Sequence, residues 1–293
     1  MVLKIIIFLM TMCFLKKVKG MSVNMDKKIE AVIIGNSAYD VNTFLNRDNL
    51  KEKTVTNKGG ACLYSLIPAS LYSKIGVVTK VGTDFDLELF KKLNIDTLGL
   101  KIIKGNTTKF IHTYLDLEGQ NRTFKAEVNE ECMIKADDIP TEYLSAKYIH
   151  VATNFPEMQL EIVEYLKQKS NAIISIDTHE AYVDNPKVLE AFNLVDIAFI
   201  DKEFKNLYKC EAKIKIFKMG KEGCKYVSNE KEFISKAPIC NFVVDKTGAG
   251  DVVTGVFLAL KSIGKEDKEA LDLAVKVATE SIKDYGVEHL LNN

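Results

Sequence analysis

No excess charge of either sign is present: 40 Lys and Arg are matched by 40 Asp and Glu over 293 residues. Without a net field, neither a nucleic-acid backbone nor an anionic membrane surface is the expected partner. Cysteines are few and scattered (Cys13, Cys62, Cys132, Cys210, Cys224, Cys240), with no C-x-x-C pair and no histidine cluster beside them. That argues against a structural zinc site and suits free thiols in a reducing, cytoplasmic compartment. The four histidines, His112, His150, His179 and His289, are dispersed. No G-x-x-x-x-G-K-[ST] loop occurs, no G-x-G-x-x-G follows a strand pattern, and no G-x-S-x-G elbow is found. P-loop, dinucleotide-binding and α/β-hydrolase readings therefore lack support. Internal repeats and low-complexity segments are missing too. What remains, 47% hydrophobic and 27% charged, is the composition of a globular protein, long enough for one large α/β domain or two small ones.

The first residues stand apart. Lys4 precedes an apolar run from Ile5 to Leu15, and Lys16, Lys17 and Lys19 follow. The run is short for a bilayer span, and lysines occupy the place of a small-x-small cleavage site. Met21 and Met25 offer later starts. Residues 1–27 are read as an N-terminal extension outside the fold, with a membrane-tethering segment as the other reading, and residues 28–293 as the folded body.

Within that body, Ile29 to Ile34 reads as a buried strand ending at Gly35, with Asp40 just beyond its carboxyl end. Strands are expected at Ile75 to Val81, Tyr148 to Ala152, Ala172 to Ile176, Asp196 to Ile200, Ile214 to Phe217, Cys224 to Val227 and Asn241 to Val244. Helical spacing runs from Leu87 to Leu93 and Glu157 to Lys169, and from Glu266 to Asp284 with a stop at Gly286. Thr107 to Leu117 alternates, with Phe110, His112, Tyr114 and Asp116 on one face; Glu118 to Asn121 turns, and Arg122 to Val128 returns. This hairpin suits either an ordinary sheet edge or a lid. Pro68 should kink or end the helix that follows Gly59 and Gly60. Asp177, Thr178 and His179 follow a strand end directly, and His179 is expected to be a hydrogen-bonded loop residue.

The chain is organised around Asp245, Lys246, Thr247, Gly248, Ala249, Gly250 and Asp251, followed by an apolar run to Leu260. Glycines let backbone N–H groups approach an anion, and a helix N-terminus adds its positive end. Asp251 then sits where it would take a proton from a hydroxyl attacking a phosphate. The spacing alone fits equally well a strand, a tight turn and a helix capped by Thr247 or Asp251.

The run DKTGAGDVVTG resembles the C-terminal signature of the ribokinase-like (PfkB-type) carbohydrate kinases, with Lys246 in place of a threonine. Gly35 with Asp40, Gly59 with Gly60, Gly82 to Asp84, and Gly220 with Gly223 match that family in order, so the resemblance spans most of Lys28 to Gly286. It implies an α/β fold with a doubly wound, mostly parallel sheet, helices on both faces, and a small β lid from segments near 41–56 and 101–127. It also implies ATP and Mg as cofactors and a sugar as acceptor. By the same resemblance, Asp251 is the base and the amides of Gly248, Ala249 and Gly250 form the anion hole. Asp40, Gly59, Gly60 and Tyr64 would face the substrate, while Thr247, Lys218, Gly220 and Gly223 would lie on the nucleotide side. Two departures affect the site: Tyr64 replaces a substrate-binding asparagine, and Asp201, Lys202, Glu203, Phe204 replaces N-x-x-E, leaving Asp201 and Glu203 as the metal candidates. A nucleoside kinase with Tyr64 stacking on a base is the rival reading, and a non-catalytic nucleotide- or sugar-binding relative is the other. Lid hairpins of this family pair between subunits, so a homodimer is compatible.

Overall fold

Four consecutive apolar residues, Ala31–Ile34, offer no polar face to water, and they form β1, a strand buried along its whole length near the middle of a parallel sheet. The computed structural model describes residues 29–45, 52–115 and 122–292. In chain order there follow β2 (Ala38–Leu45), β3 (Glu52–Gly59), helix α1 (Gly60–Ala69), β4 (Ile75–Gly82), α2 (Glu88–Lys92), β5 (Ile95–Ile103), β6 (Lys109–Tyr114) and β7 (Arg122–Glu127). Next come β8 (Tyr148–Val151), α3 (Pro156–Lys169), β9 (Ile173–Ile176), α4 (Pro186–Leu194), β10 (Ile197–Asp201), β11 (Ile214–Lys218), β12 (Cys224–Ser228), β13 (Glu232–Ser235), α5 (Ala249–Ser262) and α6 (Asp267–Ser281).

The larger sheet has the order β13-β12-β11-β10-β9-β8-β1-β4-β5. Its strands from β11 to β5 are parallel, and β12 and β13 complete it antiparallel at one edge. Successive side chains of a strand point to opposite faces, and β1 shows the result. Ala31 and Ile33 join the core under α1, α5 and α6, with Leu63, Phe257 and Leu271, whereas Val32 and Ile34 join the core under α3 and α4, with Val163 and Phe192. Helices therefore cover both faces, and the doubly wound, mostly parallel architecture expected from the resemblance is the one observed. Pro68 lies in the last turn of α1, which ends at Ala69, and without an N–H it gives no bond to the Tyr64 carbonyl.

The chain leaves β1 through Gly35, Asn36 and Ser37 and enters a second, four-stranded sheet of order β3-β2-β6-β7. In its register Asp40 faces Phe110, Asn42 faces His112, His112 faces Phe124 and Tyr114 faces Arg122. Asp40, Asn42, His112 and Tyr114 are buried. This face rests on the carboxyl ends of the parallel strands, through Tyr114 on Thr247 and Arg122 on Glu180.

Three expectations are corrected. Residues 241–244 form no strand: the Val244 N–H donates instead to the Ile282 carbonyl at 2.8 Å, while Phe242 stays exposed. Helix α6 ends at Ser281 rather than at Gly286, which takes a left-handed φ of 64° further along the chain. Residues 101–103 pair with β4 in the large sheet, so the second sheet begins on that side only at Lys109. The N-terminal apolar run, and the turn expected at Glu118 to Asn121, lie outside the described residues. Among the described residues, no helix is long and apolar enough to cross a membrane.

Candidate active site

The glycine-rich turn is built from both sheets. An Asp245 carboxylate oxygen accepts the Thr247 N–H at 2.8 Å. Gly248 then takes φ 73° and caps α5; a Cβ there would overlap the Tyr64 ring, so only glycine fits. The Ala249 N–H closes the turn onto the Lys246 carbonyl at 3.2 Å. This corrects the expected anion hole, because Ala249 is committed to the turn. The amides of Gly250 and Asp251, in the first turn of α5, have no helical carbonyl to pair with and carry the positive end of the helix dipole. Thr247 was expected on the nucleotide side, yet its hydroxyl is held by the second sheet, accepting from Asn42 Nδ2 at 3.2 Å and lying 2.6 Å from the Tyr114 hydroxyl.

Beneath this turn is a buried ion cluster. Lys218, at the end of β11, donates to both Asp177 carboxylate oxygens at 2.9 and 2.7 Å and lies 3.3 Å from Asp201 Oδ2. Asp177 follows β9 and Asp201 ends β10, so three adjacent parallel strands bring these groups to one point. Burial works against the Lys218 charge, but Asp177, Asp201 and Asp251 outweigh it and hold the ammonium protonated. Asp251 is partly buried. Burial and then the neighbouring Asp177 push its carboxyl well above the usual carboxylate range, with Lys218 opposing. An Asp251 raised in this way has the affinity for a proton that a general base needs.

On the other side, Asp40 is 2% exposed and accepts the Gly60 N–H at 3.1 Å. Its carboxylate fills the space a Cβ on Gly59 would need, so the glycine pair is what lets Asp40 stand here. Burial raises Asp40 to about 7, and the Tyr64 hydroxyl beside it works in the opposite direction. Tyr64 itself is 2% exposed and packed under Gly248. Its ring is a core residue and has no free face for a base to stack on, which corrects the role given to it in the nucleoside reading.

Several buried polar atoms around this cleft have no protein partner among the described residues: Asn42 Oδ1, His112 Nδ1, Asn154 Nδ2, Thr178 Oγ1 and Asp245 Oδ2. The Phe124 ring, 37% exposed, lies 5.0 Å from His112 and 5.1 Å from His179, centroid to centroid. His179 also accepts the Ala181 N–H and meets Arg122, so it is hydrogen-bonded as expected. Asn42, Tyr114, Arg122, Phe124 and Asp177 had no assigned role in the sequence; only the alternation around His112 and the strand-end position of Asp177 pointed towards them.

Asp201 reaches the cluster, with one oxygen turned to Lys218, whereas Glu203 is exposed in the following turn and Phe204 is buried. Among the described residues, no group of three or more His, Cys, Asp or Glu side chains could hold a metal. The donor set therefore fits a cation that arrives on a ligand's own oxygens and meets one carboxylate, rather than an ion held by the protein. Gly220 and Gly223 both take positive φ in the turn between β11 and β12, and Gly223 is pressed against the Ser235 backbone.

The chain has similar proteins among those already known. The cytidine kinase of Thermococcus kodakarensis is 30% identical over 280 residues, which cover 88% of this chain and 98% of its own. The structure of a Burkholderia thailandensis nucleoside kinase in complex with inosine aligns with a TM-score of 0.75 at 17% identity, covering 88% of this chain and 93% of its own. Ribokinase from Thermotoga maritima aligns with a TM-score of 0.70 at 19% identity, over 90% and 100%. These two structures share the fold. The model of the pfkB family carbohydrate kinases matches residues 28–292. From β1 to the last turn, then, this chain belongs to the pfkB family of carbohydrate kinases, a family of phosphotransferases.

Proposed function

We propose that the protein transfers the γ-phosphate of ATP to a hydroxyl of a nucleoside. The γ-phosphate would lie at the start of α5, against the amides of Gly248 and Gly250 and the helix dipole. Asp251 would take the proton of the attacking hydroxyl, and Asp40 would orient the sugar portion by accepting from its other hydroxyls. The second sheet would act as a lid whose seating on Thr247 excludes water. The turn at Gly220 and Gly223 would border the nucleotide. Kinases of this family use ATP with magnesium. Here Asp201 would meet the ion on the nucleotide, where it would neutralise phosphate charge.

The observation that carries the choice of acceptor is the partly exposed Phe124 ring, in contact with His112 and His179, together with the unpartnered Nδ1 of His112. A flat heterocycle covers such a ring and supplies a hydrogen bond to the orphaned nitrogen. A free pentose or hexose, the acceptor expected from the sequence, would leave the ring bare. The curated relative's name, cytidine kinase, supports the same acceptor class. Calorimetric titration tests it: nucleosides should bind, and Phe124→Ala should weaken them at least about tenfold, on the scale of one lost ring–base stack. Binding of free sugars with nucleosides silent would refute the assignment.

A further inference from the structure

Three parallel strands deliver Asp177, Asp201 and Lys218 to one point under the start of α5, and the ammonium there occupies an unusual position. It is surrounded by carboxylate oxygens as a bound cation would be: two from Asp177 at 2.9 and 2.7 Å and one from Asp201 at 3.3 Å. The Lys218 side chain is 9% exposed and that of Asp177 2%. Lys218 Nζ also lies 3.0 Å from the place where a Cβ on Gly250 would stand, so the glycine allows the charge to approach the amide turn directly.

A buried ion pair needs no functional role, and exchanging one for apolar residues is often neutral for stability. This pair differs in where it lies. A lysine that only balanced Asp177 would do so at any depth in the sheet, whereas this one ends at the backbone of the proposed anion hole. We propose that Lys218 is a positioning residue for phosphoryl transfer, the resident cation of the anion hole, which holds Asp177 and Asp201 in place and presents a fixed positive charge beneath the Gly250 amide. The inference rests on the reading of this site as the ATP γ-phosphate site. It adds that the charge there is partly built into the chain, at a point where the cluster has no metal cage of its own.

The charge should matter for the γ-phosphate in particular. Affinity for ATP and for ADP, measured by calorimetry without any acceptor, should both be strong in the wild type. Lys218→Met should weaken ATP at least about tenfold more than ADP, and should lower kcat at least about tenfold with the preferred acceptor, a loss on the scale of removing one electrostatic stabiliser. The double variant Asp177→Asn with Lys218→Met removes the ion pair as a unit and keeps the fold testable if the single variant is unstable. It should recover the thermal midpoint without recovering the ATP preference or kcat. Lys218→Arg, which keeps the charge, should recover part of the ATP preference.

A double variant with wild-type stability, wild-type kcat and a wild-type ratio of ATP to ADP affinity would overturn the proposal, since Lys218 would then only balance Asp177. Failure of wild-type protein to bind ATP would overturn it together with the site reading. If ATP binds but no acceptor is phosphorylated, the acceptor assignment fails alone, and the ratio of ATP to ADP affinity still decides the role of Lys218.

Discussion

The Tyr114 hydroxyl lies 2.6 Å from Thr247 Oγ1, so a strand of the second sheet is bonded to the turn that starts α5. Asn42, one strand over, donates to the same oxygen at 3.2 Å. Thr247→Val removes both partners at once and should lower stability by about 1–3 kcal/mol, because two largely buried polar groups lose their bond. Tyr114→Phe should cost about 1 kcal/mol. Chemical denaturation reads both values. If the second sheet is a lid, kcat falls in each variant at temperatures where it remains folded; a wild-type kcat would reduce the sheet to a stabilising element.

Gly248 should tolerate no side chain. Its φ of 73° and the Tyr64 ring beneath it combine backbone strain with overlap. Gly248→Ala should cost on the order of 2–6 kcal/mol, roughly 1–3 from each source, and should move Tyr64 and thereby Asp40. Thermal unfolding checks the first part. A midpoint within a degree of wild type would mean that the turn relaxes freely.

Asp40 should make stability and acceptor binding respond to pH in opposite directions. Its carboxyl is raised to about 7 by burial from an ordinary value of 3.8. Between those values the folded protein retains a proton that the unfolded chain has released, so stability contributed by this group is complete below the lower value and is lost as pH rises to the upper one. Binding through the ionised carboxylate has the reverse slope. KM for the acceptor should fall as pH rises through about 7, and Asp40→Asn should flatten both trends. Parallel pH profiles of unfolding and KM decide it, and identical profiles in variant and wild type would remove Asp40 from either role.

Much of the large sheet was readable because its central strands are short, mostly apolar runs, and a sheet covered on both sides is what buries them. The start of α5 was readable as a turn into a helix from its glycines and the apolar run after them, but its role was legible only through the resemblance, since the spacing alone fits an ordinary capped helix equally well. Alternation around His112 placed His112 and Tyr114 on one buried face correctly. The ion cluster was not readable. Asp177, Asp201 and Lys218 meet only because β9, β10 and β11 are neighbours and parallel, and nothing in their spacing along the chain states the strand order. Tyr64 was ambiguous because a phenol serves a core and a ligand equally well, and the structure turns its ring under Gly248. Residues 241–244 have strand-forming composition, but composition does not reveal whether a free edge exists to receive them.

The proposed reaction is phosphoryl transfer from ATP to a nucleoside hydroxyl with Asp251 as the base. The most direct measurement is ADP release from Mg-ATP across a panel of nucleosides, pentoses, hexoses and sugar phosphates, with Asp251→Asn run beside the wild type. Turnover should appear with nucleosides, and Asp251→Asn should remain folded and lose at least about 100-fold, the lower end of what a positioned base contributes. Turnover confined to free sugars would refute the nucleoside acceptor, and an Asp251→Asn variant with near-normal kcat would refute Asp251 as the base.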